Sequence, residues 1–136
     1  MALLDLAEDK KGMLRRLTAL AVTVALGLLS RLYPLGWPLY DKSLGDVLYA
    51  AAAYLALALA LPRWRPVLVA ALALAFCLAV ESFQATGIPA RYAHFGPVRW
   101  LLGTTFSWHD VACYCVGVAG IFGVEVLLLR PRRRKR

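Results

Sequence analysis

Three polar clusters stand in otherwise apolar surroundings, and they hold the side chains best able to do chemistry. The first is Asp46. The second is Glu81 with Gln84, three residues apart and therefore on one face of any helix that carries them. The third is Ser107, His109 and Asp110, with Tyr114 one turn further on. Carboxyl, amide, hydroxyl and imidazole groups in such a grouping suit hydrogen-bonded recognition of a polar ligand, or general acid–base catalysis. Structural roles exist for some of them. Ser107 can cap a helix, and Asp110 and Asp46 can sit favourably near helix N-termini. Glu81 has no such role, because it falls near a helix C-terminus, where negative charge is disfavoured. It calls for a proton or a basic partner, and Arg31, Lys42, Arg91 and Arg99 are the candidates.

Metal and nucleophile chemistry is weakly signalled. His109 and Cys113 are four apart and can share a helix face, with Glu81 or Asp46 as a third ligand. A lone His–Cys pair at that spacing arises readily by chance, so neither metal nor cofactor is expected. The chain has no Gly-rich phosphate loop, no His-Glu-x-x-His and no Gly-x-Ser-x-Gly. Its three cysteines, Cys77, Cys113 and Cys115, lie inside apolar segments without a Cys-x-x-Cys pattern, and read as small packing residues.

The elements that must position these groups follow from apolar excess. The chain has 136 residues, 61% of them hydrophobic and 18% charged. One small core cannot bury that much apolar surface, so the surplus belongs against lipid. Four apolar runs, at residues 17–33, 44–61, 67–83 and 111–129, are each about 17–19 residues long, near the lower limit for crossing a hydrocarbon core of roughly 30 Å. Pro34, Pro38, Pro62, Pro66, Pro89 and Pro97 all fall between the runs, where they break nothing. Alanine in the second and third runs, and Gly117, Gly120 and Gly123 in the fourth, predict close helix contacts. The expected fold is all-α: one domain, an antiparallel four-helix transmembrane bundle spanning residues 1–136.

Charge orients it. Lys10, Lys11, Arg15, Arg16, Arg63, Arg65 and the tail at residues 130–136 hold twelve of the sixteen Lys and Arg residues. Basic residues mark the cytoplasmic side, which puts both termini and the Pro62–Pro66 loop there. The net charge of +8 is thus a topology and headgroup signal, and no nucleic-acid partner is expected. Leu28-Leu29-Ser30-Arg31 offers no small-x-small site, so the first run reads as a retained span and not a cleaved signal. Glu125, one turn inside the cytoplasmic end, finds basic neighbours in Arg130 and the Arg63/Arg65 loop. The connection from Ala85 to His109 is long for a structureless loop. It predicts an external segment, interfacial or partly re-entrant, with Trp100, Phe106 and Trp108 at headgroup depth.

Alternation across four spans brings Asp46, Glu81, Gln84 and Asp110 to one membrane side and a similar depth. Glu81-x-x-Gln84, a later Arg, then Ser107-x-x-Asp110 followed by Gly117, resembles the VanZ-like group of small bacterial membrane proteins. Leu44-Gly45-Asp46, and Phe106-Ser107-Trp108 running through to Tyr114, look closer to an uncharacterised sister family within that group. The resemblance covers roughly residues 31–123. It implies a four-helix fold in the bacterial inner membrane, and the named member is associated with resistance to teicoplanin-type glycopeptides. This chain departs from the pattern at Tyr114, where Asn is usual, and at Asp46, near where His is often found. The candidate site on the outer side is therefore Asp46, Glu81, Gln84, Arg91, Arg99, Ser107, Asp110 and Tyr114. Membrane lipids, or a cell-envelope lipid or glycopeptide-related ligand, are the expected partners. The leading expectation is a non-enzymatic envelope protein that binds a lipid or cell-wall component. The alternatives are an enzyme using the outer carboxylates on a lipid-linked substrate, and a structural subunit of a larger membrane complex.

Overall fold

The computed structural model describes residues 2–103 and 105–129, with side chains from residue 6 onward except those of residues 100 and 101. The basic run at 130–136 and the Trp100 side chain lie outside that description. The chain order is α1 (Ala2–Leu32), α2 (Pro38–Ala60), α3 (Pro66–Ala85), α4 (Ile88–Arg91), α5 (Gly96–Leu102) and α6 (Trp108–Val124), continued by a π-helical segment, Glu125–Leu129. No strand occurs among the described residues.

Four of these helices are long and apolar enough to cross a membrane: Leu6–Leu32, Pro38–Ala60, Pro66–Ala85 and Trp108–Leu129, of 27, 23, 20 and 22 residues. Each helix begins before the apolar run that marks it in the sequence. Proline at the first turn sets the starts of α2 and α3, where its missing N–H costs nothing. Asp41 adds to this at α2, since its carboxylate oxygens accept the backbone N–H groups of Leu35 and Gly36 at 2.9 and 3.1 Å. That contact closes the turn out of α1, and α2 is helical six residues before residue 44, where its apolar run starts. At 31 residues, α1 would extend about 46 Å at 1.5 Å per residue, well beyond a hydrocarbon core of about 30 Å.

The packing is less symmetric than a square bundle. Helix α2 packs against α1, α3 and α6, with α6 its largest neighbour, and α3 also packs against α6. So α2, α3 and α6 form a three-helix core, and α1 lies along the flank of α2. The start of α2 lies beside the end of α1, and the start of α6 beside the end of α3, so α1 and α3 run opposite to α2 and α6. The interior is thin and built largely from small side chains: Ala50, Ala58, Ala73 and Cys77 surround Tyr54, Leu55, Val69 and Val118. Large apolar side chains such as Leu17, Leu29, Val67, Phe76, Val116 and Leu127 point outward. Inverting the soluble pattern in this way suits a lipid surround, where helices associate by close packing and not by hiding apolar surface.

Gly117 shows how close that packing is. A Cβ there would collide with the Val47 backbone carbonyl and meet the Ala50 Cβ at 3.0 Å. Gly120 and Gly123 have nothing within 4 Å of a built Cβ, so the anticipated glycine stripe reduces to one contact between α2 and α6. Cys77 is fully buried, Cys113 is buried and Cys115 is exposed. The connection after α3 carries two short helices, α4 and α5, both of which pack back on α3. Phe106 and Trp108 stand edge to face at 5.3 Å, with Trp108 largely exposed.

Candidate functional site

The ends of α1 and α3, the starts of α2 and α6, and helix α5 line a half-open cavity of about 560 Å³. That volume lies within the roughly 300–1,000 Å³ typical of small-molecule sites. Asp46, Gln84, Arg99, Asp110 and Tyr114 all line it. The sequence expectation thus meets a concave space into which groups from α2, α3, α5 and α6 converge.

Asp46 is in the third turn of α2, too deep for the N-terminal role open to it in the sequence; Asp41 occupies the first turn instead. Its residue is 8% exposed, and its Oδ2 is buried without a hydrogen-bond partner. Asp110 is in the first turn of α6, where the helix dipole favours its charge. The Lys42 ammonium lies 2.7 Å from Asp110 Oδ1, which ties the start of α2 to the start of α6.

Gln84 anchors the connection. Its amide Nε2 donates to the Leu102 carbonyl at the end of α5. The next residue, Gly103, has φ +68°, and a Cβ there would lie 2.8 Å from the same amide nitrogen. The backbone region calls for glycine, and any side chain there would displace the Gln84 amide. The Gln84 side chain therefore fixes where α5 ends and where Arg99 stands over the cavity.

Glu81 lies beside the cavity and is not part of its lining. It is 1% exposed, and its two carboxyl oxygens are both occupied. Oε1 accepts the backbone N–H of Ser107 at 2.6 Å, and Oε2 accepts the Tyr114 hydroxyl at 3.2 Å. Among the described residues no cation lies within ion-pair distance, so the basic partner expected for Glu81 is replaced by an N–H and an O–H donor. The reason is local. The N–H of a helix N-cap residue has no intrahelical acceptor, and Ser107 presents it toward the end of α3. Ser107 thus holds the N-cap position, but its side chain makes no capping hydrogen bond; its backbone does the work.

Arg91, at the end of α4, is exposed and does not line the cavity. Arg31 and Lys42 do line it, along with Asp41, Tyr49 and Thr105, none of which the sequence placed in the site. The signal for Arg31 and Lys42 was present, as they are the cations flanking the apolar runs at this end. His109 is exposed, with its Nε2 2.7 Å from Ser43 Oγ and 3.4 Å from Cys113 Sγ. The Ser43 hydroxyl also lies 2.5 Å from the Leu39 carbonyl oxygen, to which it can donate. Among the described residues no group of three His, Cys, Asp or Glu side chains is placed to hold a metal ion.

A family model for proteins of unknown function (DUF2809) matches residues 35–118, more than half the chain. The chain belongs to that family. The matched region runs from the turn before α2 into α6, and contains all eight residues proposed for the site as well as Lys42 and Gly117. It excludes Arg31, Arg16 and Glu125. No solved structure matches the chain.

Proposed function

We propose that this chain is a multi-pass protein of the bacterial inner membrane, with both termini in the cytoplasm, whose cavity opens on the outer side and binds a lipid or lipid-linked component of the cell envelope. The observation that carries this reading is the cavity: charged groups converge on open space at one end of four apolar helices, and one of them, Asp46, keeps a buried oxygen without a partner. A network that only fixed the helices would close its charges on one another, as Arg16 and Glu125 do at the opposite end. The resemblance to the VanZ-like group supports an envelope setting. The enzyme alternative draws on the same residues, since Asp46 and Asp110 both face the cavity and could exchange protons with a bound substrate.

The test is to purify the protein in polymer-bounded membrane discs and identify the small molecules it retains by mass spectrometry. One lipid or lipid-linked species should be enriched over its bulk abundance, and Asp46→Asn with Asp110→Asn should lose that enrichment. Both substitutions suit the purpose. Removing an unpartnered buried charge strands nothing, and Lys42, at 50% exposure, stays solvated without Asp110, so little stability is lost. Retained lipid that matches the bulk membrane, in parent and variant alike, would refute the binding site.

Orientation has its own check. Reporters fused after Arg136 or within Pro62–Pro66 should behave as cytoplasmic, and one within 85–94 as external. The split of basic residues motivates this expectation. A cytoplasmic signal from the 85–94 segment would overturn the orientation.

A further inference from the structure

We propose that the cavity recognises a zwitterionic phosphate headgroup bearing a primary ammonium, with its phosphate between Arg31 and Arg99 and its ammonium on Asp46. The proposal rests on the binding reading above and names the chemistry of the ligand.

The argument is a charge inventory. Six ionisable side chains of fixed sign line the cavity: Arg31, Lys42 and Arg99 against Asp41, Asp46 and Asp110. With all six ionised their charges sum to zero, and a ligand without net charge leaves that balance unchanged. Three of the six are already engaged. Asp41 accepts two backbone N–H groups, and Lys42 pairs with Asp110. The other three, Arg31, Arg99 and Asp46, make no ion pair among the described residues. A ligand that satisfies them must therefore offer an anion to two guanidinium groups and a donor to one carboxylate.

Geometry explains why Arg31 and Asp46 do not simply neutralise each other. The Arg31 guanidinium packs over Gly45, its Nε and Nη2 lying 3.7 and 3.8 Å from where a Cβ would be. The absent side chain lets a flat cation rest against α2, one residue before Asp46 yet outside ion-pair distance of it. Guanidinium forks match phosphate oxygens in shape and charge, and two of them on opposite elements, α1 and α5, can hold one phosphate between them. Asp46 Oδ2 supplies the complementary feature. A carboxylate oxygen buried without a donor is costly, and an N–H or O–H group from a ligand would relieve that cost. A quaternary ammonium has no N–H and would leave this oxygen unsatisfied. The site is thus built to distinguish an ethanolamine-type headgroup from a choline-type one.

Native mass spectrometry from nanodiscs tests this directly. The protein is titrated with phosphatidylethanolamine, phosphatidylcholine and phosphatidylglycerol in separate arms, and with water-soluble glycerophosphoethanolamine in a fourth. Phosphatidylethanolamine should bind at least about tenfold tighter than phosphatidylcholine, the scale of one charge-assisted hydrogen bond. Arg31→Gln and Arg99→Gln should each weaken it by a similar factor. Asp46→Asn should erase the preference over phosphatidylcholine while leaving the dependence on the two arginines. Competition by glycerophosphoethanolamine at equal concentration would support the headgroup chemistry and identify a soluble source; competition only by the lipid would support it and identify the membrane. Equal binding of phosphatidylethanolamine and phosphatidylcholine by the parent, or arginine variants that bind as well as the parent, would overturn the proposal. Retention of a species without phosphate would overturn it too while leaving the binding reading intact, and no retained species in any arm would overturn both.

Discussion

Replacing Glu125 by glutamine should cost the folded protein about 3–5 kcal/mol, the scale of stranding one partner of a buried ion pair. Glu125 is 1% exposed and the Arg16 side chain 12%. Arg16 Nε reaches both carboxylate oxygens at 3.0 and 3.2 Å, and Nη2 reaches Oε1 at 2.5 Å. Nη1 also donates to the Ala58 carbonyl at 3.4 Å, so one guanidinium joins α1, α2 and the π-helical end of α6. The partner is therefore Arg16 of the first helix and not the Arg63/Arg65 loop. That matters for the architecture, because α1 lies on the flank of the three-helix core and its contact with the π segment is small. Arg16→Gln should cost as much as Glu125→Gln, since each leaves a charge without its counterion. The double variant Arg16→Met with Glu125→Leu should recover most of the loss, because two apolar side chains strand nothing. Denaturant unfolding in detergent micelles would measure the cycle. Single variants within about 0.5 kcal/mol of the parent would place the pair with ordinary surface salt bridges and deny it this role.

Glu81→Ala should have the next largest effect, and it should reach the cavity from outside its lining. The substitution removes the acceptor of two donors, the Ser107 N–H and the Tyr114 hydroxyl, at about 1–3 kcal/mol for each donor left buried and unsatisfied. Tyr114 forms part of the cavity wall, and Ser107 sets where the connection enters α6, so ligand binding should fall together with stability. Glu81→Gln keeps one carbonyl oxygen and turns an amide N–H₂ toward the other donor, so it should lose roughly half as much. Tyr114→Phe removes one donor only and should cost least. Thermal unfolding of the three variants, measured beside lipid retention, separates this positioning role from direct chemistry. A Glu81→Gln protein as stable as the parent but unable to bind would contradict the clamp and make Glu81 part of the site itself.

The two substitutions probe the same distinction from opposite ends of the molecule. At the Arg16 end the charges close on each other and hold helices together. At the Asp46 end they leave a cavity and an unpartnered oxygen. That Asp46, Glu81, Gln84 and Asp110 gather at one end of the bundle was legible because alternating helices bring even-numbered starts and odd-numbered ends together. The number of spans was legible because length and apolarity accumulate along a single stretch of chain and need no knowledge of neighbours. The prolines were legible for the same reason, as each acts on its own backbone and on the residue before it.

What each charge touches was decided only in three dimensions. A hydrogen bond discriminates at about 3 Å, whereas sequence position locates a side chain only to about one helical turn, 5.4 Å. Within that margin Glu81 could meet an arginine or a backbone N–H, and the rotation of α3 against the start of α6 selected the N–H. By sequence position Glu125 could meet Arg130 or the Arg63/Arg65 loop, and the course of α1 along α2 brought Arg16 instead. Of three glycines at matching spacing, only Gly117 lies where α2 comes close enough to exclude a side chain. Arg31 entered the cavity and Arg91 did not, because Gly45 leaves room for a guanidinium on α2 while α4 ends with Arg91 facing outward. Apolar length determined that four helices can cross a membrane; the approach and rotation of those helices determined which charges neutralise one another and which are left to meet a ligand.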